Sequence, residues 1–334
     1  MNTLLLLFAC HHRPEPQGES GADTAADSDS GEPPGETVNM PWTEEGFWTN
    51  PGPLATLLQP DADDDTLNYI VRIATSADFV TWELTELTPA SNFSSIDLFI
   101  LPDVGVVILG MPDAPMLPLE TSSVYALVSA DLETWGSVSW PIPTAAHPNL
   151  VDPALHWSPD GRLALSYYAT DTFGVDPVSI PGDHEVRKAY WGMNGWEEED
   201  RVLFQAEGLV DPMFCQQGGE EVLVTTQNSV RVIGARENDE GTFTQDDALT
   251  WKDRTVPFCR AEGDSIRVLS QGFGAFELPR YAEITDAGLT DKGELYSEAP
   301  FPEGNCSSAV YGSWKGQYIL VCAVRKSVYT GEGS

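Results

Sequence analysis

Ser76-Ala-Asp-Phe-Val-Thr-Trp82 and Ser129-Ala-Asp-Leu-Glu-Thr-Trp135 are two copies of one phrase, and Asp246-Asp-Ala-Leu-Thr-Trp251 is a weaker third. A second phrase also repeats: Leu150-Val-Asp-Pro153 and Leu209-Val-Asp-Pro212. Self-similarity at a period near fifty residues marks repeated sheets that cannot bury their faces alone, and so predicts a β-propeller. In the first phrase, Ser and Asp side chains can bond turn N–H groups, and the Trp can wedge between sheets. It is read as a structural device.

Outward from these phrases, short apolar runs open each repeat: Ile96–Leu101, Asp152–Trp157, Asp211–Cys215, Val256–Cys259 and Cys306–Tyr311. A turn and a second strand follow, as with Asp160-Gly161 before Arg162–Tyr168 and Lys315-Gly316 before Tyr318–Cys322. Each interval holds four ordinary strands, which is one blade. Outer aromatics keep the same count: Trp82, Trp135, Trp196, Trp251 and Tyr296. Trp82 precedes every opening strand, and the hairpin Cys306–Ala323 has no outer strands after it. The expectation is an all-β, five-bladed β-propeller. Both chain ends close it, with the strand Tyr69–Ile73 completing the blade begun at Cys306, which leaves no open edge.

The flanking sequence bears on location. Residues 4–9 are an apolar run ending at Cys10, far too short for a membrane-spanning helix. Leu7-Phe8-Ala9-Cys10 resembles the lipobox of a bacterial lipoprotein signal, which implies a lipidated Cys10 and a site in the cell envelope, on the outer membrane. Residues 11–45 carry nine acidic side chains against one Arg, with much Pro, Gly and Ser, and read as an extended acidic tether. The propeller is expected over 46–334. Seventeen basic against 52 acidic residues, a formal charge of −35, exclude nucleic acid or an anionic bilayer surface as the natural partner. The lipid on Cys10 is thus the expected membrane contact, on a monomer.

Beyond Cys10 there are four cysteines, Cys215, Cys259, Cys306 and Cys322. In an exported chain they suggest two disulfides, with three connectivities open. Cys306 and Cys322 flank a hairpin, and Cys215 and Cys259 take the same place in successive repeats.

The stretch Val151-Asp-Pro-Ala-Leu-His-Trp-Ser-Pro-Asp-Gly-Arg-Leu-Ala-Leu-Ser-Tyr-Tyr168 resembles the propellers of glycoside hydrolase family 43 and the arabinanase, invertase and levansucrase group. Val210–Phe214 echoes it, and Pro302-Glu-Gly-Asn305 is similar to the segment carrying that family's acid. The resemblance implies glycan recognition, and hydrolysis, at the axial mouth. Asp152, Asp211 and Glu303 would be catalytic, with Asp97, His184 and Asn305 touching substrate. Such chemistry needs one carboxylic acid for the leaving oxygen and one carboxylate opposite it. In that group base, modulating Asp and acid come from three consecutive blades; here the blade before Glu303 opens on Val256-Pro257. The competing reading is a non-catalytic interaction or scaffold propeller.

Other motifs carry less. His147, His156 and His184 show no metal-ligand spacing, and Gly272-Phe-Gly274 opens no helix. No cofactor or metal is expected. The segment Thr170–Arg187, with Asp171 and His184, reads as the longest loop within a blade.

Overall fold

A computed structural model describes residues 38–55, 58, 69–112, 123–142, 149–170, 183–272, 278–297, 300–302 and 306–325. Over these residues the chain forms five antiparallel sheets. Strands are numbered from the N-terminus. β1 (Tyr69–Ser76), β2 (Glu83–Leu84) and β3 (Ala90–Ser91) come first. Blade I is then β4 (Phe93–Leu101), β5 (Gly105–Pro112), β6 (Ser123–Ser129) and β7 (Gly136–Pro141). Blade II is β8 (Asn149–Trp157), β9 (Leu163–Thr170) and β10 (Asp183–Gly192), with β11 (Gly195–Glu198) and β12 (Phe204–Glu207) sharing its outer edge. Blade III is β13 (Leu209–Gln217), β14 (Glu220–Gln227), β15 (Arg231–Glu237) and β16 (Phe243–Lys252). Blade IV is β17 (Arg254–Glu262), β18 (Ser265–Gly272), β19 (Arg280–Thr285) and β20 (Gly288–Glu294).

Blade V closes the ring as expected. The hairpin of β21 (Cys306–Trp314) and β22 (Gln317–Arg325) supplies its inner half. β1 pairs with β22 from Tyr69↔Arg325 to Ser76↔Tyr318, and β2 and β3 pair with β1 outside it. Lys315 and Gly316 both have positive φ, the geometry a two-residue hairpin turn demands.

The repeated phrase is a turn between third and fourth strands. Ser76 Oγ accepts from the Phe79 N–H at 3.0 Å, and Asp78 Oδ1 accepts from Val80 and Thr81 N–H at 2.9 and 2.8 Å. Ser129 and Asp131 repeat the arrangement with Leu132, Glu133 and Thr134. These hydrogen bonds hold the exposed Asp78 carboxyl down at about 2, the Thr81 N–H contributing most. The third copy is different. Asp246–Trp251 lies inside β16, where Asp246 pairs with Arg236 at 3.1 Å, because Trp251 keeps its buried outer place without needing the turn.

Two further expectations are corrected. Residues 183–187, read as loop, begin β10, since His184 and Val186 alternate into the interior between β9 and β12. Residues 38–45, read as tether, already pack on the ring. Trp191 Nε1 donates to the Asn39 carbonyl at 2.8 Å, Pro41 is buried, and Trp42 meets Phe99 and Trp157 at centroid distances of 6.2 and 6.1 Å. Phe47 and Leu54 continue this strap into the core. The apolar residues spaced among its polar ones are what dock it. The signal at residues 1–10 and the tether to residue 37 lie outside the described residues.

Both disulfides form, and they are the two pairs that the sequence placed close together. Cys215–Cys259 joins the inner strands of blades III and IV with Cα atoms 6.0 Å apart; Cys306–Cys322 joins β21 to β22 within blade V at 5.2 Å. The places of Cys215 and Cys259 differ by one: Cys215 stands two residues beyond the first re-paired residue Met213, and Cys259 only one beyond Phe258.

Candidate active site at the axial mouth

Inner strands β4, β8, β13, β17 and β21 line the axis, and each carries a β-bulge near its start. Pairing breaks between Ser94 and Asp97, Val151 and Ala154, Val210 and Met213, Thr255 and Phe258, and Cys306 and Ser308. In four of them the first bulge residue is left-handed: Ser95, Asp152, Asp211 and Val256, with φ between 48° and 54°. Asp tolerates this region because its short side chain bonds locally, whereas a β-branched Val there is strained. Pro153, Pro212 and Pro257 follow at the second bulge position, where no ladder N–H is needed. The repeated Asp-Pro is therefore a bulge signature, and the bulge aims its first side chain at the mouth.

The mouth holds a hydrogen-bonded chain running across four blades. The Asp211 N–H donates to Asp152 Oδ2 at 3.1 Å, and Ser95 bonds the Asp152 carboxyl from the other side. Thr226 Oγ1 donates to Asp211 Oδ2 at 3.0 Å and accepts from the Val256 N–H at 2.9 Å. The carboxyls of Asp152 and Asp211 are hydrogen-bonded to each other. Burial raises both, and the Asp152 charge pushes Asp211 further up, well above the usual carboxylate range. Two such groups in contact resist ionising together, and the hydrogen bond between them holds one proton for the pair. Although both residues keep some accessible surface at a small cavity, the carboxyl groups themselves are enclosed.

Asp97 sits past its bulge, at the place that Ala154 and Met213 take in the next two blades. It is 3 % exposed, and its Oδ2 accepts from the Leu155 N–H at 2.9 Å. Burial pushes its carboxyl up to about 7, against the Leu155 and Leu98 N–H groups and the Arg260 charge. His184 is buried in β10, stacked on Tyr168 at 5.2 Å, with Nδ1 2.6 Å from the Leu209 carbonyl. It thus ties blade II to blade III. The Asp152 and Asp211 charges reach the Tyr168 hydroxyl, which burial and those charges hold in its neutral form. Glu303 and Asn305 lie outside the described residues, between Pro302 and the start of β21.

The structure brings Asp152 and Asp211 together, with Asp97 one step further down the axis. Ser95 and Thr226 were missed. Ser95 precedes Ile rather than Pro, so only its bulge pairing opposite Gly110 reveals the equivalence.

The fold is a five-bladed β-propeller, and solved structures share it. An α-L-arabinofuranosidase from Lactobacillus brevis superposes with TM-score 0.53 at 9 % identity, over 71 % of this chain and 85 % of that one. An α-L-arabinofuranosidase from Clostridium thermocellum gives 0.49 at 11 % identity over 68 % and 80 %, and an inulosucrase from Halalkalicoccus jeotgali bound to kestose gives 0.47 at 14 % over 66 % and 73 %. At these identities the likeness is one of fold. No family model matches the chain, and no curated protein matches it. Among the described residues, no group of His, Cys, Asp and Glu is arranged to hold a metal ion, and no helix is long and apolar enough to cross a membrane.

Proposed function

We propose that this chain is an exported envelope protein, lipid-anchored at Cys10, whose ring binds a glycan at the Asp152–Asp211 mouth. One observation carries the reading: two carboxyls at equivalent bulges of adjacent inner strands are hydrogen-bonded to each other beside the small axial cavity. Such a pair offers an acceptor and a donor side by side, which matches vicinal sugar hydroxyls, each of them donor and acceptor. The Lactobacillus brevis neighbour is named for action on arabinofuranosides, and this supports the substrate class by analogy of fold. Two disulfides fit an oxidising compartment outside the cytoplasm.

Hydrolysis is a second reading, favoured by burial and the Asp152 charge raising the Asp211 carboxyl, since a glycosidase needs an acid still protonated near neutral pH. Asp152 and Asp211 alone do not make the catalytic pair, because acid and base partners stand about 5–9.5 Å apart and these two touch. Glu303 would be the acid across the mouth, and Asn305 a neighbouring contact.

Titration with arabinan, xylan and fructan oligosaccharides tests both. Binding should appear for wild type and fall at least about tenfold in Asp152→Ala and Asp211→Ala, the loss of one or two charge-assisted hydrogen bonds. Product analysis then separates the readings: hydrolysis by wild type that Glu303→Gln abolishes, with binding kept, supports catalysis. Binding without products supports recognition alone. No affinity for any of these glycans would overturn the proposal.

A further inference from the structure

The inner strands end at the opposite mouth, where a larger cavity of about 280 Å³ opens. Its walls include Phe99, Trp157, Phe214 and Phe258, and its polar side chains include His156 and Arg260. The size is near the lower end for small-molecule sites, about 300–1,000 Å³, and suits a single substituted ring. Trp42, from the N-terminal strap, braces Phe99 and Trp157 from outside, so this part of the wall is already built.

One polar group here is left over. Arg260 lies half-buried beside Gly312; a Cβ on that glycine would come within 2.7 Å of the guanidinium Nη1 and 2.3 Å of Ile100 Cδ1. Gly312 is thus what makes room for the cation. Among the described residues no carboxylate forms an ion pair with Arg260, although the chain has 52 of them. Its charge reaches Asp97 across the cavity floor, but Asp97 is satisfied by the Leu155 and Leu98 N–H groups. His156, with 10 % of its side chain exposed, turns instead to Glu221, its Nε2 standing 3.5 Å from Oε1. Glu221 itself is engaged by Lys188 Nζ, which lies over the Phe214 ring. A half-buried cation with no ion-pair partner is prepared for an anion. One anionic ligand group would satisfy it.

We infer that this far mouth is a second binding site, for a small six-membered ring bearing one carboxylate. The carboxylate takes the Arg260 guanidinium, and the ring body lies on the aromatic wall. The site stands at the other end of the inner strands from Asp152 and Asp211, so it does not depend on the glycan reading. That chemistry occurs in aromatic acids and in uronic sugars alike, and the assay separates them.

Calorimetry and ligand-observed NMR on the folded chain would use benzoate and D-glucuronate as probes, with benzyl alcohol and D-glucose as uncharged counterparts. Each binding acid should exceed its neutral counterpart by about tenfold or more, the worth of a charge-assisted hydrogen bond. Arg260→Gln should erase that preference, while Asp152→Asn at the other mouth should leave it intact. Should Arg260→Gln fail to fold, Trp157→Ala weakening both probes, together with the wild-type acid-over-neutral ratio, carries the test. Binding of benzoate alone assigns an aromatic acid, of glucuronate alone a uronic sugar, and of both the shared chemistry. No binding of either acid at about 10 mM, weaker than roughly −3 kcal/mol, would overturn the inference, as would equal affinity for acids and neutral counterparts.

Discussion

Asp97→Asn should make the ring more stable at pH 8 than at pH 5 relative to wild type. In the native state burial raises the Asp97 carboxyl from 3.8 to about 7, so the folded chain holds a proton that the unfolded chain releases. Below about pH 4 both states are protonated and the group costs nothing. As pH rises, the unfolded state ionises first and gains, and wild-type stability drains away until the folded carboxyl also ionises near 7. Between pH 5 and that value lie about two pKa units, or about 3 kcal/mol at 1.36 kcal/mol per unit. Asparagine cannot ionise, yet its oxygen still accepts from the Leu155 N–H, so the mutant escapes this loss. Asp152 and Asp211, raised in the same direction, contribute equally to both proteins and cancel in the difference. The assay is urea unfolding at pH 5, 6, 7 and 8 with disulfides intact. The mutant-minus-wild-type stability should climb by about 3 kcal/mol over that span. A difference that stays flat with pH would refute a buried, proton-holding Asp97.

Four other outcomes are expected. A chain starting at Val38 should melt like the whole protein, one starting at residue 61 should lose several kcal/mol with the burial of Phe47 and Leu54, and one starting at residue 86 should not close the ring, all read by thermal melting. Replacing Cys215 and Cys259 together by Ala should cost about 4 kcal/mol and replacing Cys306 and Cys322 about 3 in urea unfolding, because the first pair closes 44 residues and the second 16. Asp211→Asn should keep near-wild-type stability at pH 7, since the amide donates to Asp152 as the protonated acid does, whereas Asp211→Ala should lose about 1–3 kcal/mol. Gly105→Ala should loosen the strap and expose residues 38–55 to protease, because its Cβ would meet the Trp48 ring at 2.3 Å and the Ser129 carbonyl at 2.9 Å.

The sequence by itself determined the ring: the number of blades and its closure through Tyr69–Ile73, with the four cysteines placed in two neighbouring pairs. These follow from local periodicity and turn chemistry, which Ser76-x-Asp78, Asp160-Gly161 and Lys315-Gly316 write into a few neighbouring residues. It also singled out Asp152 and Asp211, because a bulge that needs a left-handed residue followed by one without an N–H reads as Asp-Pro. Only the tertiary structure decided what those side chains do. That the two carboxyls share a proton depends on the spacing of adjacent inner strands, and that Ser95 joins them depends on a register opposite Gly110. The same holds for the strap at 38–55, whose Trp42 and Trp48 find their places in blades I and II far along the chain. At the far mouth, Gly312 of blade V opens the space for Arg260 of blade IV, and His156 of blade II faces Glu221 of blade III. No local pattern encodes such pairs, because each partner is chosen by the packing of different blades around one axis.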